Sequence, residues 1–256
     1  MRKLLLLLGV IFFQTLIFAQ ESSIRKFYSV TSGELIFAWS NATFNYQSEF
    51  FANNENESSI LDDNNLRFSL FFHLGQYWHY NFSNNFGLIT GLGIRNVGIS
   101  SDERHDFDND LELEKYKFVR RSYLLGVPLG FKLGSFKDHL YISAGGECEL
   151  SVHYKQKYWT SHTRSGSAIK TKSWFGSQTN SILPSVYAGM QFPRGINIKL
   201  KYYLTDFLNH SYANTEINDF SRYGQTNIFY ISMSWQVKSE KLKERVKKRE
   251  EIFTSL

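Results

Sequence analysis

The chain has 256 residues with a formal net charge of +5, a single cysteine, three prolines and 17% aromatic residues. One cysteine excludes an internal disulfide, and the richness in aromatic residues favours β structure. The charge does not indicate a nucleic-acid-binding face, because residues 1–19 carry +2, residues 238–256 carry +3 and the segment between them is neutral. The length suits one domain.

The first 19 residues have the pattern of a secretory signal peptide. Arg2 and Lys3 precede the apolar run Leu4–Phe13, and Ala19 stands at a suitable cleavage position. The alternative is a membrane anchor helix, but the apolar run is shorter than the roughly 20 residues that such a helix needs. We therefore expect an exported protein whose signal peptide is removed.

Residues 20–237 alternate between apolar and polar side chains in eight segments. In the last segment, Phe229 and Trp235 fall on one face and Tyr230 and Ser232 on the other. This period of two predicts β-strands that are apolar on one side. The predicted strands span residues 33–45, 66–80, 86–100, 123–133, 140–154, 182–192, 196–204 and 227–237.

The links between these strands alternate between long and short. The long links are 46–65, 101–117, 156–181 and 208–224, and the short links are 81–85, 135–138 and 193–195. This rhythm predicts an all-β fold, an eight-stranded antiparallel transmembrane β-barrel with up-and-down topology, periplasmic termini and four surface loops. A soluble β-sandwich or lipocalin-like barrel is the alternative. Long strands with aromatic residues near their ends favour the membrane barrel.

Two segments resemble the PorT-like outer-membrane β-barrel family of Gram-negative bacteria. They are YLLGVPLGFKL at Tyr123–Leu133 and KYYLTDFL at Lys201–Leu208. The resemblance implies an eight-stranded barrel, and some relatives belong to a secretion apparatus. It carries over no catalytic residue. The charged tail at 238–256 departs from the pattern of such barrels, which end near the last strand.

The polar face of the strands collects ionisable groups that we predict to form a polar network in the lumen. An eight-stranded barrel is just wide enough for its own side chains, so these groups must pair or remain hydrated. The first interpretation is a salt-bridged, filled lumen, and the second is a narrow ion path. The predicted network comprises Arg95, Lys132, Glu147, Glu149, His153, Lys199 and Lys201.

The second long link is acidic. It begins like a calcium-binding loop, but Leu111 and Lys117 stand where an EF-hand needs Gly and Glu, so that motif is excluded. A solvated acidic loop is the first interpretation, weak calcium binding stays open, and we predict no dedicated metal site. The surface-loop acidic cluster comprises Asp102, Asp106, Asp108, Asp110 and Glu112.

The third long link is basic and aromatic, with no acidic residue between 156 and 181. Such a surface suits lipopolysaccharide phosphates or an anionic glycan. Alternatively, this loop packs on the acidic loop and closes the barrel mouth. The surface-loop cluster comprises Lys157, Trp159, Arg164, Lys170, Lys172 and Trp174.

No constellation of residues indicates an enzyme. Ser151 and His153 have same-face spacing in a strand but lack a third convergent group. Residues 238–256 have the pattern of a short charged helix, which either is solvated in the periplasm or docks a protein partner.

We therefore expect a structural or interaction component of the outer membrane, without a cofactor, in contact with lipid and lipopolysaccharide. An association with a secretion or envelope assembly fits this expectation. A narrow channel is the second hypothesis and a lipid A-modifying enzyme the third.

Overall fold

A computed structural model describes residues 25–40, 67–69, 73–105, 114–159, 166–214 and 218–239 of the chain. The predicted signal peptide, the whole first long link and tail residues 240–256 lie outside these ranges. No helix within the described ranges is long and apolar enough to cross a membrane.

Ten strands and two short 3-10 helices make up the described chain. The strands are β1 (Phe27–Ser40), β2 (Arg67–Ser69), β3 (Leu74–Asn81), β4 (Phe86–His105), β5 (Glu114–Ser135), β6 (Leu140–Trp159), β7 (Ile169–Trp174), β8 (Ile182–Gln191), β9 (Ile196–Tyr203) and β10 (Ile228–Lys238). The 3-10 helices are Pro193–Gly195 and Phe220–Arg222.

The strands close into an antiparallel ring. Neighbours in sequence pair around the wall, and β10 pairs with β1 over a register that includes Leu35 opposite Met233. Two positions in the wall are shared: β2 and β3 both pair with β1, and β7 and β8 both pair with β6. The ring therefore has eight strand positions, which confirms the predicted eight-stranded up-and-down barrel.

The wall is polar inside and apolar outside. Along β5, Leu125, Val127, Leu129 and Phe131 are 40 to 59% exposed, whereas Lys132 on the opposite face is buried. A soluble barrel buries its apolar face, so an exposed apolar belt around a polar interior is the arrangement of a transmembrane barrel. The three short links lie at one end of this barrel, which we call the turn end. The opposite end is the loop end.

Several strands are longer than predicted. The first begins at Phe27 instead of residue 33, and β4 and β5 continue beyond residue 100 and before residue 123. Much of the second and third long links is therefore sheet, since β6 reaches Trp159 and β7 pairs with it. The sequence pattern did not predict these extensions, because they contain charged residues. Above a membrane both faces of a sheet can contact water, so the apolar–polar alternation is lost.

A bulge in the β5–β6 pairing changes which side chains face inward. The register shifts between Tyr123 and Leu124, so that Leu124 faces Ser151 while Tyr123 faces His153. An extra residue on one strand reverses its alternation. Beyond the bulge Tyr154 is buried, and His153, predicted to lie in the lumen, is instead on the outer face.

The fourth long link folds over the loop end. Phe207, Leu208, Phe220 and Tyr223 are buried together with the wall residue Tyr154 in one apolar cluster. Asp219 begins the short helix Phe220–Arg222 by accepting a hydrogen bond from the backbone nitrogen of Ser221. This link is therefore a packed cap.

Candidate functional site: a charged and packed lumen

The centre of the lumen is a cluster of ion pairs around Arg95. Its Nε donates to Glu34 Oε2 at 2.9 Å, and Nη1 donates to Glu147 Oε1 and, at 2.8 Å, to Glu149 Oε1. Nη2 donates to the hydroxyl of Tyr77 at 2.8 Å. One guanidinium thus contacts side chains from β1, β3 and β6, which fixes its position across the lumen.

Two lysines from β9 complete the cluster. Lys201 Nζ lies 2.8 Å from Glu147 Oε2 and 2.8 Å from Glu149 Oε2, and Lys199 Nζ lies 2.9 Å from Glu34 Oε1. The central cluster, Arg95, Lys199, Lys201, Glu34, Glu147 and Glu149, therefore holds three cations and three carboxylates. This balance offsets the cost of burying six charges, which unpaired would each be expensive.

The lumen has little free space around this cluster. A cavity of about 40 Å³ lies beside Tyr77, Arg95 and Glu147, which is room for two or three waters. Inward-facing glycines provide the space that the charged groups fill: a Cβ at Gly126 would lie 2.6 Å from Glu147 Oε1. The cluster is therefore packed, and it blocks the centre of the barrel.

A second ion pair closes the loop end. Arg120 on β5 and Glu103 on β4 are both buried, with Nη1–Oε1 and Nη2–Oε2 distances of 2.5 and 3.1 Å. The Arg120 guanidinium also lies 5.5 Å from the ring centre of Phe220 and 5.2 Å from that of Tyr223. Cation–π contacts at these distances attach the fourth long link to the wall.

Aromatic residues surround a lysine at the turn end. Lys132 Nζ donates to the Tyr28 hydroxyl at 3.0 Å and lies 4.3 Å from the ring centre of Phe136. His79 stacks on Tyr28 with ring centres 4.7 Å apart. Between this group and the outside is an open vestibule of about 290 Å³, lined in part by Tyr28 and Arg194. The lumen is therefore narrowed at three heights: by the Arg120–Glu103 pair at the loop end, by the central cluster, and by the aromatic residues around Lys132 at the turn end.

The structure brings six of the seven predicted lumen residues inside the barrel. Five of them belong to the central cluster, and the sixth, Lys132, lies apart from it at the turn end. His153 is the exception, since its ring lies 4.5 Å from Trp174 and 5.7 Å from Tyr123 on the outer face.

Sequence reasoning missed Glu34, Tyr77, Glu103 and Arg120 as members of the lumen. Glu34 lies in the first predicted strand, one of the two with the weakest alternation, and Glu103 and Arg120 lie in stretches predicted as loop or left unassigned. A usable signal was present, because Glu34 alternates with the outward apolar residues Leu35 and Phe37.

The one member of the predicted acidic cluster that the structure describes, Asp102, does not lie in a surface loop. Asp102 is a buried residue of β4, with its Oδ1 2.9 Å from Lys117 Nζ on β5. It is therefore part of the sheet and not of a surface loop. Asp106, Asp108, Asp110 and Glu112 lie outside the described residues. Within the described residues, no group of three or more His, Cys, Asp or Glu side chains could hold a metal ion.

The described members of the basic and aromatic cluster belong to strands and not to a loop. Lys157 and Trp159 are in β6, and Lys170, Lys172 and Trp174 are in β7. Arg164 lies outside the described residues. The pairing places Lys157 opposite Lys170, so the cluster is a sheet surface of defined geometry.

No family model and no curated protein matches the chain. Solved structures that match include Ail, the attachment invasion locus protein of Yersinia pestis, in complex with the heparin analogue sucrose octasulfate. It is 12% identical and covers 82% of this chain and 99% of its own, with a TM-score of 0.33. The outer membrane protein OprG from Pseudomonas aeruginosa is 10% identical, covering 83% and 96%, with a TM-score of 0.26. The eight-stranded ring of this chain follows from its own strand pairing.

Proposed function

We propose that the protein is an integral outer-membrane barrel with a closed lumen, serving as a non-enzymatic structural or interaction component of the envelope. In this account the turn end faces the periplasm and the loop end faces outward, as the asymmetry of link lengths favours. The observation that carries the proposal is the central cluster. Its six charged groups are paired with one another, so none is left to bind a passing solute.

A narrow channel is less well supported. Pore-lining charges select ions when they face water and bind weakly enough for release. Here Arg95 is held by three carboxylates and Tyr77 at once, and an ion crossing the cluster would have to displace these contacts. The packed cap above and the aromatic group below would also have to open.

A lipid A-modifying enzyme is the third candidate. The pair that the sequence offered for it, Ser151 and His153, is separated by the bulge. Ser151 Oγ faces the barrel interior, 2.7 Å from the hydroxyls of Ser122 and Thr179, whereas His153 lies on the outer face of the barrel. A nucleophile and its base must be within hydrogen-bond reach, so this pair supports no catalytic role. Unchanged lipid A in mass spectra of a deletion strain is the expected result.

The finer role that we propose is attachment to an envelope or secretion assembly, in keeping with the PorT-like resemblance. The candidate contact surfaces are the extended strands at the loop end and the tail 238–256. The tail follows β10 directly at the turn end, a position from which it can reach a periplasmic protein.

Crosslinked affinity purification from native outer membranes tests this role. The tag is placed in residues 46–65, and bound proteins are identified by mass spectrometry. We expect a stoichiometric envelope protein that is lost when residues 240–256 are deleted. Recovery of the barrel with lipopolysaccharide alone, from both forms, would contradict the assembly role.

A further inference from the structure

Positive charges form rows across the outer face of three strands above the apolar belt. The pairing places Arg121 on β5 opposite Lys155 on β6, and Lys155 opposite Lys172 on β7. One step further from the membrane, Lys157 is opposite Lys170. Residues directly opposite in an antiparallel sheet point to the same face, with Cβ atoms about 5 Å apart. We call these five residues the cation rows.

The strand segments around Arg121, Lys155 and Lys172 contain few negative charges. No Asp or Glu occurs in residues 115–137, which hold most of β5, or in residues 150–205, which hold the end of β6 and all of β7. Within the ranges that the structure describes, no carboxylate forms an ion pair with Arg121, Lys155 or Lys172. Lys117 illustrates the contrast, since it pairs with Asp102 from the neighbouring strand β4.

Such an arrangement is unfavourable for the isolated protein. Like charges placed directly opposite in a sheet destabilise it. The pKa of the Lys155 ammonium, above the belt, is lowered by partial loss of solvent and then by the charges of Arg121 and Lys172. A bound polyanion would reduce this repulsion between Arg121, Lys155 and Lys172, and a ligand with several charges could contact all three residues.

The row below the cations is aromatic. Tyr123, His153 and Trp174 are aligned across the same three strands, with Trp174 70% exposed. Below them on β5 begins the exposed apolar series that starts at Leu125. Aromatic side chains of this kind lie at the boundary between lipid and water. The cation rows are therefore at the height of lipid headgroups, at the loop end.

We propose that the cation rows bind the phosphate groups of lipopolysaccharide in the outer leaflet, with the Tyr123–His153–Trp174 row resting against its upper acyl chains and sugars. This inference rests on the proposed outer-membrane placement. Arg121 provides the fork that suits phosphate oxygens, and the lysines add charge at neighbouring positions.

A binding measurement with matched variants tests the proposal. The full mature chain is placed in detergent micelles and titrated with fluorescent rough-type lipopolysaccharide at several salt concentrations. The test variant combines Arg121→Gln, Lys155→Gln and Lys172→Gln. The control variant combines Lys26→Gln, Lys137→Gln and Arg194→Gln, which removes the same charge from exposed positions at the turn end.

We expect the test variant to bind at least tenfold more weakly, with a shallower salt dependence, and the control variant to bind within twofold of the wild type. Equal affinities of the test variant and the wild type would overturn the proposal. So would undiminished wild-type binding to dephosphorylated lipopolysaccharide. Equally tight binding to phosphatidylglycerol vesicles would identify an ordinary phospholipid as the phosphate source and also contradict it.

Two further measurements separate this result from the proposed function. Heat-modifiable migration on gels shows whether each variant is folded. A conducting lumen in the wild type would contradict the closed-barrel account and leave the binding comparison unaffected. Absence of the protein from outer-membrane fractions would instead overturn both.

Discussion

Arg95 on β4 donates a hydrogen bond to Glu34 on β1 at 2.9 Å inside the lumen. Strand β3 lies between β4 and β1 in the wall, so this contact passes over β3. Glu34 is in turn bound by Ser232 Oγ at 2.5 Å on β10, the strand that closes the ring on β1. The closing seam of the barrel is thus connected to the central cluster, and the stability of the ring depends on side chains inside it.

Replacing Arg95 tests this dependence. We expect Arg95→Met to lower the free energy of unfolding by about 3–5 kcal/mol, because three buried carboxylates would then share two lysines. Urea unfolding in micelles, followed by tryptophan fluorescence, measures the change. The exposed Arg194 provides the control Arg194→Met. A loss below about 1 kcal/mol would show that the cluster does not stabilise the wall.

Two buried lysines are expected to respond differently to the same substitution. Lys201→Met leaves Glu147 and Glu149 with one cation fewer and should destabilise the barrel by about 3–5 kcal/mol. Lys132 contacts aromatic rings and has no carboxylate partner among the described residues, so Lys132→Met should change stability by less than about 1 kcal/mol or increase it. Equal losses for both variants would contradict the distinction between the two sites.

Adjacent arginines allow a matched test of the cap. Arg120 faces the lumen and contacts Phe220 and Tyr223, whereas Arg121 faces outward. We expect Arg120→Leu to loosen the cap and to increase the rate of trypsin cleavage after Arg222 on intact cells. Mass spectrometry of the released peptides measures this rate. Arg121→Leu removes one trypsin site as well, and should leave the rate unchanged. Similar rates in both variants would refute the clamp.

The acidic residue of the cap should titrate below its usual range. Hydrogen bonds from Ser221, first of all from its hydroxyl at 2.5 Å, lower the pKa of the Asp219 carboxyl below 3.8. Because the carboxyl has a lower pKa in the folded state, its ionised form stabilises the turn at pH values above the unfolded-state pKa. This stabilisation is lost as the pH falls through the folded-state pKa. NMR titration should give a midpoint below 3.8 that rises in Ser221→Ala. An unchanged midpoint in the variant would exclude the hydroxyl as the cause.

The sequence was sufficient to predict the strands of the barrel wall, but it was insufficient to predict the lumen residues near the loop end. Within the belt one face must meet lipid and the other the lumen, so alternation in segments such as 227–237 and 196–204 predicted strands, their faces and the inward lysines Lys199 and Lys201. Above the belt that constraint ends. The pair Glu103 and Arg120 is therefore invisible to a pattern of apolar residues.

The bulge near Tyr123 was unpredictable for a different reason. It is a property of the pairing between two strands, and the alternation in either strand alone does not reveal it. One extra residue moved His153 to the outer face and Tyr154 inward. The same shift aligned the aromatic row and the cation rows, a relationship that spacing along the chain could not show.

Conductance across a planar bilayer tests the closed lumen most directly. The purified wild-type barrel is inserted into the bilayer, and protease protection confirms that it spans the lipid. The central cluster, the packed cap at the loop end and the aromatic group around Lys132 predict no current steps above the background of the protein-free bilayer. Reproducible unitary steps from the wild type, absent from heat-unfolded protein, would show that the lumen opens and would contradict the account.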